Sequence, residues 1–528
     1  MTTIKGRLQA LLQEQYPGEE VRVDYAPRDK DGDYSTNLAL KTALKAGVPP
    51  MAQAEKIAAV IRDPMIERAT VYPPGFVNFT IRRDFLYDCL RKEDFTLSTG
   101  AGERILVEFV SANPTGPLNI VSARAAAFGD SLVKILNAGG YGAQAEYYVN
   151  DGGRQIEMLA TSVEQRMLEL TGKPMQIPED GYHGTYLIEV AKQAVKKGLS
   201  QHNDIKKFAL EFFIENHRST LQSFGVTFDN WKRESHVREN GAVEKILQTL
   251  NDKQLTYEQD GALFFRSTEF QDKRDRVIIT SDGRYTYLLP DIAYHLDKIK
   301  RGYNRMITVL GPDHIGQVPS LIGGIQAFGY PRNILSVIIV QEVKLKKDGV
   351  IVSMSKRAGI FTTLDELLAV IPRDVARFFF LMRSSSQPLD FDLDLALKTS
   401  EENPVYYVQY AHARIKSIIA YAREKNVISP ADSDVRLDLL NEKEEQILIK
   451  DILRLPEVVE DSTRSLEPFF LTYYLIDLAR DFHYFYDQHR VVCEDPDLTQ
   501  ARLYLIRRTA DALKKGCDMM GISCPDKM

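Results

Sequence analysis

Residues 103–137, ERILVEFVSANPTGPLNIVSARAAAFGDSLVKILN, restrict what this chain can fold into more than any other stretch. The run at 105–110 is apolar and β-branched, the composition of a strand buried on both faces of a parallel sheet. Two prolines and a glycine then break regular structure across 111–118. From Ser122 to Leu136 the pattern turns helical, with Ala126, Val133 and Leu136 among small residues. A strand, a tight loop and a helix in this order form a phosphate-handling corner. The first helical turn there offers unpaired N–H groups and the positive end of its dipole to an anion.

The same alternation continues downstream. Strands are expected at 143–149, 276–280, 305–310 and 335–340, and residues 155–230 read as a helical insertion broken at 177–182. Strands alternating with helices imply an α/β, doubly wound (Rossmann-like) parallel sheet with ligands at the carboxyl ends of its strands. Residues 1–98 read as a small α+β module that opens on an amphipathic helix rather than a signal peptide. Beyond about residue 390 the strand pattern stops. Amphipathic stretches at 403–425, 442–458, 468–488 and 498–520 predict an all-helical bundle. The expected division is therefore 1–98, 99–385 with the insertion inside it, and 386–528.

Composition narrows the class further. A chain of 528 residues with 44% hydrophobic and 27% charged side chains has the balance of a soluble globular protein. It contains no apolar run of the roughly 18 residues needed to span a bilayer, so no membrane partner is expected. The four cysteines, Cys89, Cys493, Cys517 and Cys524, are widely spaced and contain no CxxC pair. That argues against a disulfide framework or a zinc site and fits a reducing, cytoplasmic setting. The net charge of −6 excludes a uniformly basic nucleic-acid coat but leaves room for local basic faces.

The words VEFVSANPTGPL and AR at 107–118 and 123–124, followed by a small-residue helix, resemble the first signature region of class I aminoacyl-tRNA synthetases. Within that class they are most similar to the arginyl-tRNA synthetases. In that family the four residues after the leucine read His-x-Gly-His; here they are Asn119-Ile120-Val121-Ser122. The segment 352–359, VSMSKRAG, resembles the second signature, usually Lys-Met-Ser-Lys-Arg, with Ser353 in place of the first lysine. Further matches are GDYSTNLAL and PPGFVNF near the N-terminus, SDGRYTYLLPDIAYH and GPDHIGQ in the body, and EENPVYYVQYAHAR with the final MGISCPDKM in the bundle.

The resemblance implies arginine activation by ATP, with Mg2+ accompanying the nucleotide, followed by transfer to tRNA(Arg). It implies an arginine pocket of Glu108, Asn113, Glu234, Tyr287, Asp291 and Gln317. A guanidinium is planar and rich in donors, so it asks for carboxylates in forked geometry and further acceptors. Tyr287 and Asp291 lie four apart and share a face if 286–297 is helical; they are expected on the guanidinium side, with Asn113 and Gln317 orienting the backbone groups. For ATP the implied residues are Asn119, Val121 and Ser122 with Met354, Ser355 and Lys356. Asn119, Ser122 and Lys356 are the catalytic set. Asn119 and Ser122 keep hydrogen-bond donors without a titratable group, and Lys356 can follow the pyrophosphate as charge builds. Lys346 or Lys347 on the preceding hairpin offers a substitute for the missing lysine. For tRNA the implied residues are Tyr34 and Asn37 in the N-terminal module and Tyr406, Gln409 and Met528 in the bundle, where exposed rings and amides can stack on bases or read their edges. A monomer is expected. The altered first signature also leaves open an impaired paralogue that binds arginine or tRNA without catalysis.

Overall fold

The apolar run at 105–107 becomes the middle strand of the central sheet, buried on both sides as its composition requires. In the computed structural model, which describes residues 3–27, 29–239, 241–352, 363–427 and 432–528, five strands lie side by side. Their order is Leu335–Ile339, Arg305–Leu310, Arg104–Glu108, Gly142–Val149 and Asn230–Arg233. Every neighbouring pair is parallel. The chain winds outward from Arg104–Glu108 in both directions. This puts the switch point at the carboxyl end of that strand, where Glu108 pairs with Thr308.

One expected strand sits elsewhere. Arg276–Ile279 forms, but in a separate antiparallel sheet with Ala262–Phe265 and Thr256–Gln259. The hairpin turn Asp260-Gly261, with φ of 51° and 75°, sets that pairing. The link from Phe265 to Arg276 is too short for the crossover of about a dozen residues that a parallel partner of Ala262–Phe265 would need, so the strand turns back antiparallel to it.

The helix Ile120–Ala138 follows the first strand and packs beneath the sheet. Its small residues have a steric cause: a Cβ added at Gly129 would lie 2.1 Å from the Phe109 ring. The insertion comprises helices Arg154–Leu170, Leu187–Lys196 and His202–Ser223, closed on a small core of its own that includes Leu159, Val163, Leu187 and Phe213. In the C-terminal bundle the expected single helix over 442–458 is two, Lys443–Leu453 and Leu455–Ser465. Pro456 causes the break, since its ring removes an N–H and crowds the preceding turn.

Two buried contacts fasten these parts together. Arg377, fully buried on the helix Arg373–Leu381, donates from Nε to the Met520 carbonyl at 3.0 Å and from Nη1 to the Phe224 carbonyl at 3.2 Å. It is also ion-paired to Asp130 on the helix Ile120–Ala138. The end of the long bundle helix Pro496–Met520 is thereby held against the helix that begins at Asn119.

The second contact docks the N-terminal module, a four-stranded antiparallel sheet with flanking helices, onto the bundle. Glu457 accepts from the Lys5 amide and the Tyr34 hydroxyl, both at 2.9 Å, while Lys5 Nζ meets Asp461 at 2.6 Å. Tyr34, expected to present an exposed ring to RNA, is therefore a docking residue. All three residues of its strand are buried, and Tyr34 itself is 5% exposed, so no base can stack on it.

Burial pushes the Glu457 carboxyl up to about 7. A carboxyl raised from about 4.3 in the unfolded chain destabilises the native state as pH rises between those values, by roughly 3–4 kcal/mol once fully ionised. Glu457→Gln keeps an acceptor without the charge. The variant should melt above the parent at pH 8, with the gap closing below pH 5; a gap independent of pH would locate the effect in packing instead.

Candidate active site

The first strand ends at Glu108, and the backbone then turns through Val110 and Ser111 with φ of 67° and 41°. A valine in the left-handed region is rare and costs roughly 1–3 kcal/mol, so the surrounding contacts must hold it. Ser111 supplies part of that hold, donating from Oγ to Glu108 at 3.1 Å and accepting the Tyr148 amide at 3.1 Å. At the other end of the loop Asn119 caps the following helix. Its Oδ1 accepts the Ser122 amide at 2.8 Å and the Ser122 hydroxyl at 3.0 Å. The Asn119 Nδ2 group and the Ser122 lone pairs are left for a ligand.

A cavity of about 860 Å³ opens at the switch point, and Glu108, Asn113, Glu234, Tyr287, Asp291 and Gln317 all line it together with Asn119, Val121 and Ser122. The helix Leu288–Lys300 forms as expected, so Tyr287 at its start and Asp291 one turn on share a face. Two of the three carboxylates are already paired. Lys298 Nζ lies 2.6 Å from Glu108, both buried, and Arg238 Nε donates to Glu234 at 2.7 Å. Asp291 has no ion pair among the described residues, and its carboxyl is pushed up to about 7 by burial first and then by Glu108 and Glu234. The empty cavity thus holds an acid that ionises only reluctantly until a cation arrives.

His295 completes the floor. Its Nδ1–H donates to the Asp291 carbonyl at 2.8 Å, leaving Nε2 as an acceptor toward Thr308. Burial and the neighbouring Lys298 hold the ring neutral, far below the usual histidine range. Sequence reasoning missed His295 and Lys298, although 291, 295 and 298 carry the i, i+4, i+7 spacing of one helical face. It also missed Arg238, one turn after Glu234.

On the phosphate side, Met354, Ser355 and Lys356, with Ser353, lie outside the described residues. Lys346 is held by Asp392 at 3.0 Å and Lys347 is exposed on the hairpin; neither lines the cavity.

A second cavity of about 1100 Å³ lies in the bundle, and Met528 lines it with Tyr410, Arg414, Tyr421, Tyr486 and Arg490. The Arg414 guanidinium sits over the Tyr410 and Tyr486 rings, 4.7 and 4.8 Å from their centroids. Tyr406 stands one turn away, stacked on Tyr410 at 6.0 Å. Gln409 Nε2 is occupied by the Ser523 carbonyl at 2.9 Å, so this amide holds the C-terminal tail. Asn37 is half-buried at the start of the helix Leu38–Ala46, its Oδ1 without a partner among the described residues.

Three family models match the chain: arginyl tRNA synthetase N terminal domain over residues 1–81, tRNA synthetases class I (R), catalytic domain, over 88–371, and DALR anticodon binding domain over 408–528. The arginine--tRNA ligase of Citrifermentans bemidjiense is 42% identical across 96% of this chain and 95% of its own. That of Legionella pneumophila (strain Paris) is 38% identical across 98% of both. Among solved structures, a putative arginyl-tRNA synthetase from Campylobacter jejuni superposes with a TM-score of 0.77 at 32% identity, covering 85% of this chain and all of the other. The Thermus thermophilus arginyl-tRNA synthetase gives a TM-score of 0.80 at 20% identity over 99% of each, a likeness of fold.

Proposed function

This chain belongs to the arginyl-tRNA synthetases of class I, and from that premise we infer how its own residues carry the reaction. It is an arginine--tRNA ligase, joining arginine to tRNA at the expense of ATP. The observation that carries our assignment of the site is the convergence of six residues from separate stretches on one cavity with Asn119, Val121 and Ser122.

Asp291, the carboxylate with no ion pair among the described residues, takes the guanidinium, with Tyr287 beside it. Glu108 and Glu234 line the same cavity, but Lys298 and Arg238 balance their charge. Asn113 and Gln317 orient the α-amino and carboxylate groups. Attack of that carboxylate on the α-phosphate needs positioning and charge but no proton from the protein, so the Asn119 amide donor, joined by the Ser122 hydroxyl once it turns from Asn119 Oδ1 to the phosphate, suffices where the family carries imidazoles. Val121 borders the nucleotide. Lys356, with Met354 and Ser355, follows the pyrophosphate, and magnesium arrives on the ATP phosphates as part of the substrate. In the bundle, Met528 and the Tyr410–Tyr486 cavity face the anticodon, with Tyr406 alongside and Gln409 fixing the tail; Asn37 contacts the outer corner of the tRNA. We place the protein in the cytoplasm as a monomer, divided at about residues 98 and 385; four free cysteines support a reducing compartment.

The test is aminoacylation with purified protein, ATP, labelled arginine and total tRNA. Arginyl-tRNA should form with the parent chain and vanish in Asp291→Ala. Arginine binding with no product would sink the catalytic reading and leave a binding paralogue.

The raised Asp291 carboxyl also sets a pH dependence. Below about pH 7 the free protein carries a proton there that arginine must expel. KM for arginine should be flat above pH 7.5 and climb, approaching tenfold per unit, as pH falls below 7. A KM constant from pH 8 to 6 would mean that another group meets the guanidinium.

A further inference from the structure

The loop between the first strand and its helix is grasped from outside by its carbonyls. The Tyr147 hydroxyl donates to the Ala112 carbonyl at 2.9 Å, Tyr186 to Thr115 at 3.2 Å, and the His217 Nε2–H to Gly116 at 2.7 Å. The Leu364 amide takes the Leu118 carbonyl at 2.9 Å. His217 and Tyr186 come from the helical insertion. His217 is 1% exposed, and burial holds its ring below the usual histidine range, hence neutral. The neutral ring has one N–H, which goes to Gly116, so Nδ1 accepts from the Tyr147 hydroxyl 2.9 Å away, and that hydroxyl is shared with Ala112.

One turn further along the same helix, Thr220 Oγ1 donates to Asp365 at 2.8 Å. Asp365 lies two residues after Thr363, which bridges to Asn119. A single face of the helix His202–Ser223 therefore holds the first signature loop through His217 and the segment leaving the second signature through Thr220. Because peptide units are planar and trans, fixing the Ala112 carbonyl on Tyr147 of the sheet and the Thr115 carbonyl on Tyr186 of the insertion aims the Asn113 and Gly116 amides away from those hydroxyls. Between loop and insertion lies a cavity of about 580 Å³ that Asn119, Ser122, Tyr186, His217 and Thr363 all line.

We propose that His217 is a positioning residue for the ATP site, with the helical insertion setting through it the shape of a signature loop that has no histidines of its own. This rests on the assignment of Asn119 and Ser122 to ATP made above. The ring touches backbone, not substrate; it holds the Gly116 carbonyl just before Pro117, which has no N–H to aim, and so acts by fixing the path of the loop into the Asn119 cap.

The test compares the parent chain with His217→Leu, which removes both polar contacts at similar size, and His217→Gln, which retains a donor and an acceptor. ATP affinity is read by calorimetry and KM for ATP by aminoacylation. His217→Leu should weaken both about tenfold, the worth of a lost buried hydrogen bond. KM for arginine should stay within about twofold, and His217→Gln should recover most of the loss. Unchanged ATP affinity in His217→Leu would overturn the proposal. A parallel rise in both KM values, or failure of His217→Gln to recover, would reduce His217 to a core residue and overturn it as well. Calorimetry keeps the two readings apart: a parent chain that binds ATP yet charges no tRNA fails the catalytic reading while the His217 comparison still stands or falls.

Discussion

Asp291→Asn should lower kcat/KM for arginine by roughly two to three orders of magnitude, with KM for ATP nearly unchanged. The size follows from the charge balance of the pocket. Glu108 and Glu234 each have a cation of their own, Lys298 and Arg238, and so offer an incoming guanidinium little net charge. Asp291 has none among the described residues and is partly buried in the cavity floor, where desolvation already raises its carboxyl. Removing one partner of a desolvated charge pair costs about 3–5 kcal/mol, because the other charge is left buried and unmatched. Asparagine keeps the shape and one acceptor, so the loss reports charge rather than packing. The measurement is steady-state aminoacylation with arginine varied at saturating ATP and tRNA. A decline below tenfold would move the guanidinium to Glu234, and Glu234→Gln would then carry the large effect.

The second large effect is on stability. Arg377→Met should lower the unfolding midpoint sharply, corresponding to about 3–5 kcal/mol. Methionine fills similar space but leaves the Met520 and Phe224 carbonyls without their donor and removes one of the two cations on Asp130. Lys134, 2.7 Å from Asp130, remains as a partial substitute. Asp130→Asn should therefore cost less than Arg377→Met, and the double variant less than the sum of the two, since both remove the same pair. Urea titration followed by fluorescence, with limited proteolysis to show whether the bundle end is released first, checks the prediction. A loss under 1 kcal/mol would mean that apolar packing alone holds the bundle helix to the body.

Much of the site was legible because its residues sit in words whose local structure is nearly forced. A proline-flanked loop after a β-branched run can only leave a strand, and the spacing of Tyr287 and Asp291 fixes a shared helical face. What stayed hidden was partnership across the chain. Nothing in the sequence joins Lys298 to Glu108 or His217 to Gly116, because those contacts depend on how the insertion and the helix Leu288–Lys300 settle on the sheet. Tyr34 shows the opposite error. A tyrosine in a polar neighbourhood reads as exposed, but a strand buried along its whole length and a carboxylate from the distant bundle decided its place. The strand at 276–279 was legible as a strand and misplaced as to sheet, since periodicity records faces and not neighbours.

The docking of Lys5 and Tyr34 on Glu457 also has a consequence in time. Residues more than 400 positions apart share one hydrophobic core, with Leu8 and Leu12 of the first helix in the same cluster as Leu455 and Leu475 of the bundle. At about 5–20 residues per second of synthesis, the partner surface emerges roughly 20 to 85 seconds after the N-terminal module. Until then the apolar side of that module stands open on the ribosome, and late long-range closure is slow by its topology. Trigger-factor-like holdases should therefore bind nascent chains ending before residue 450 far more strongly than chains ending after 490, a difference that ribosome-bound pulldown at staged truncations would read directly.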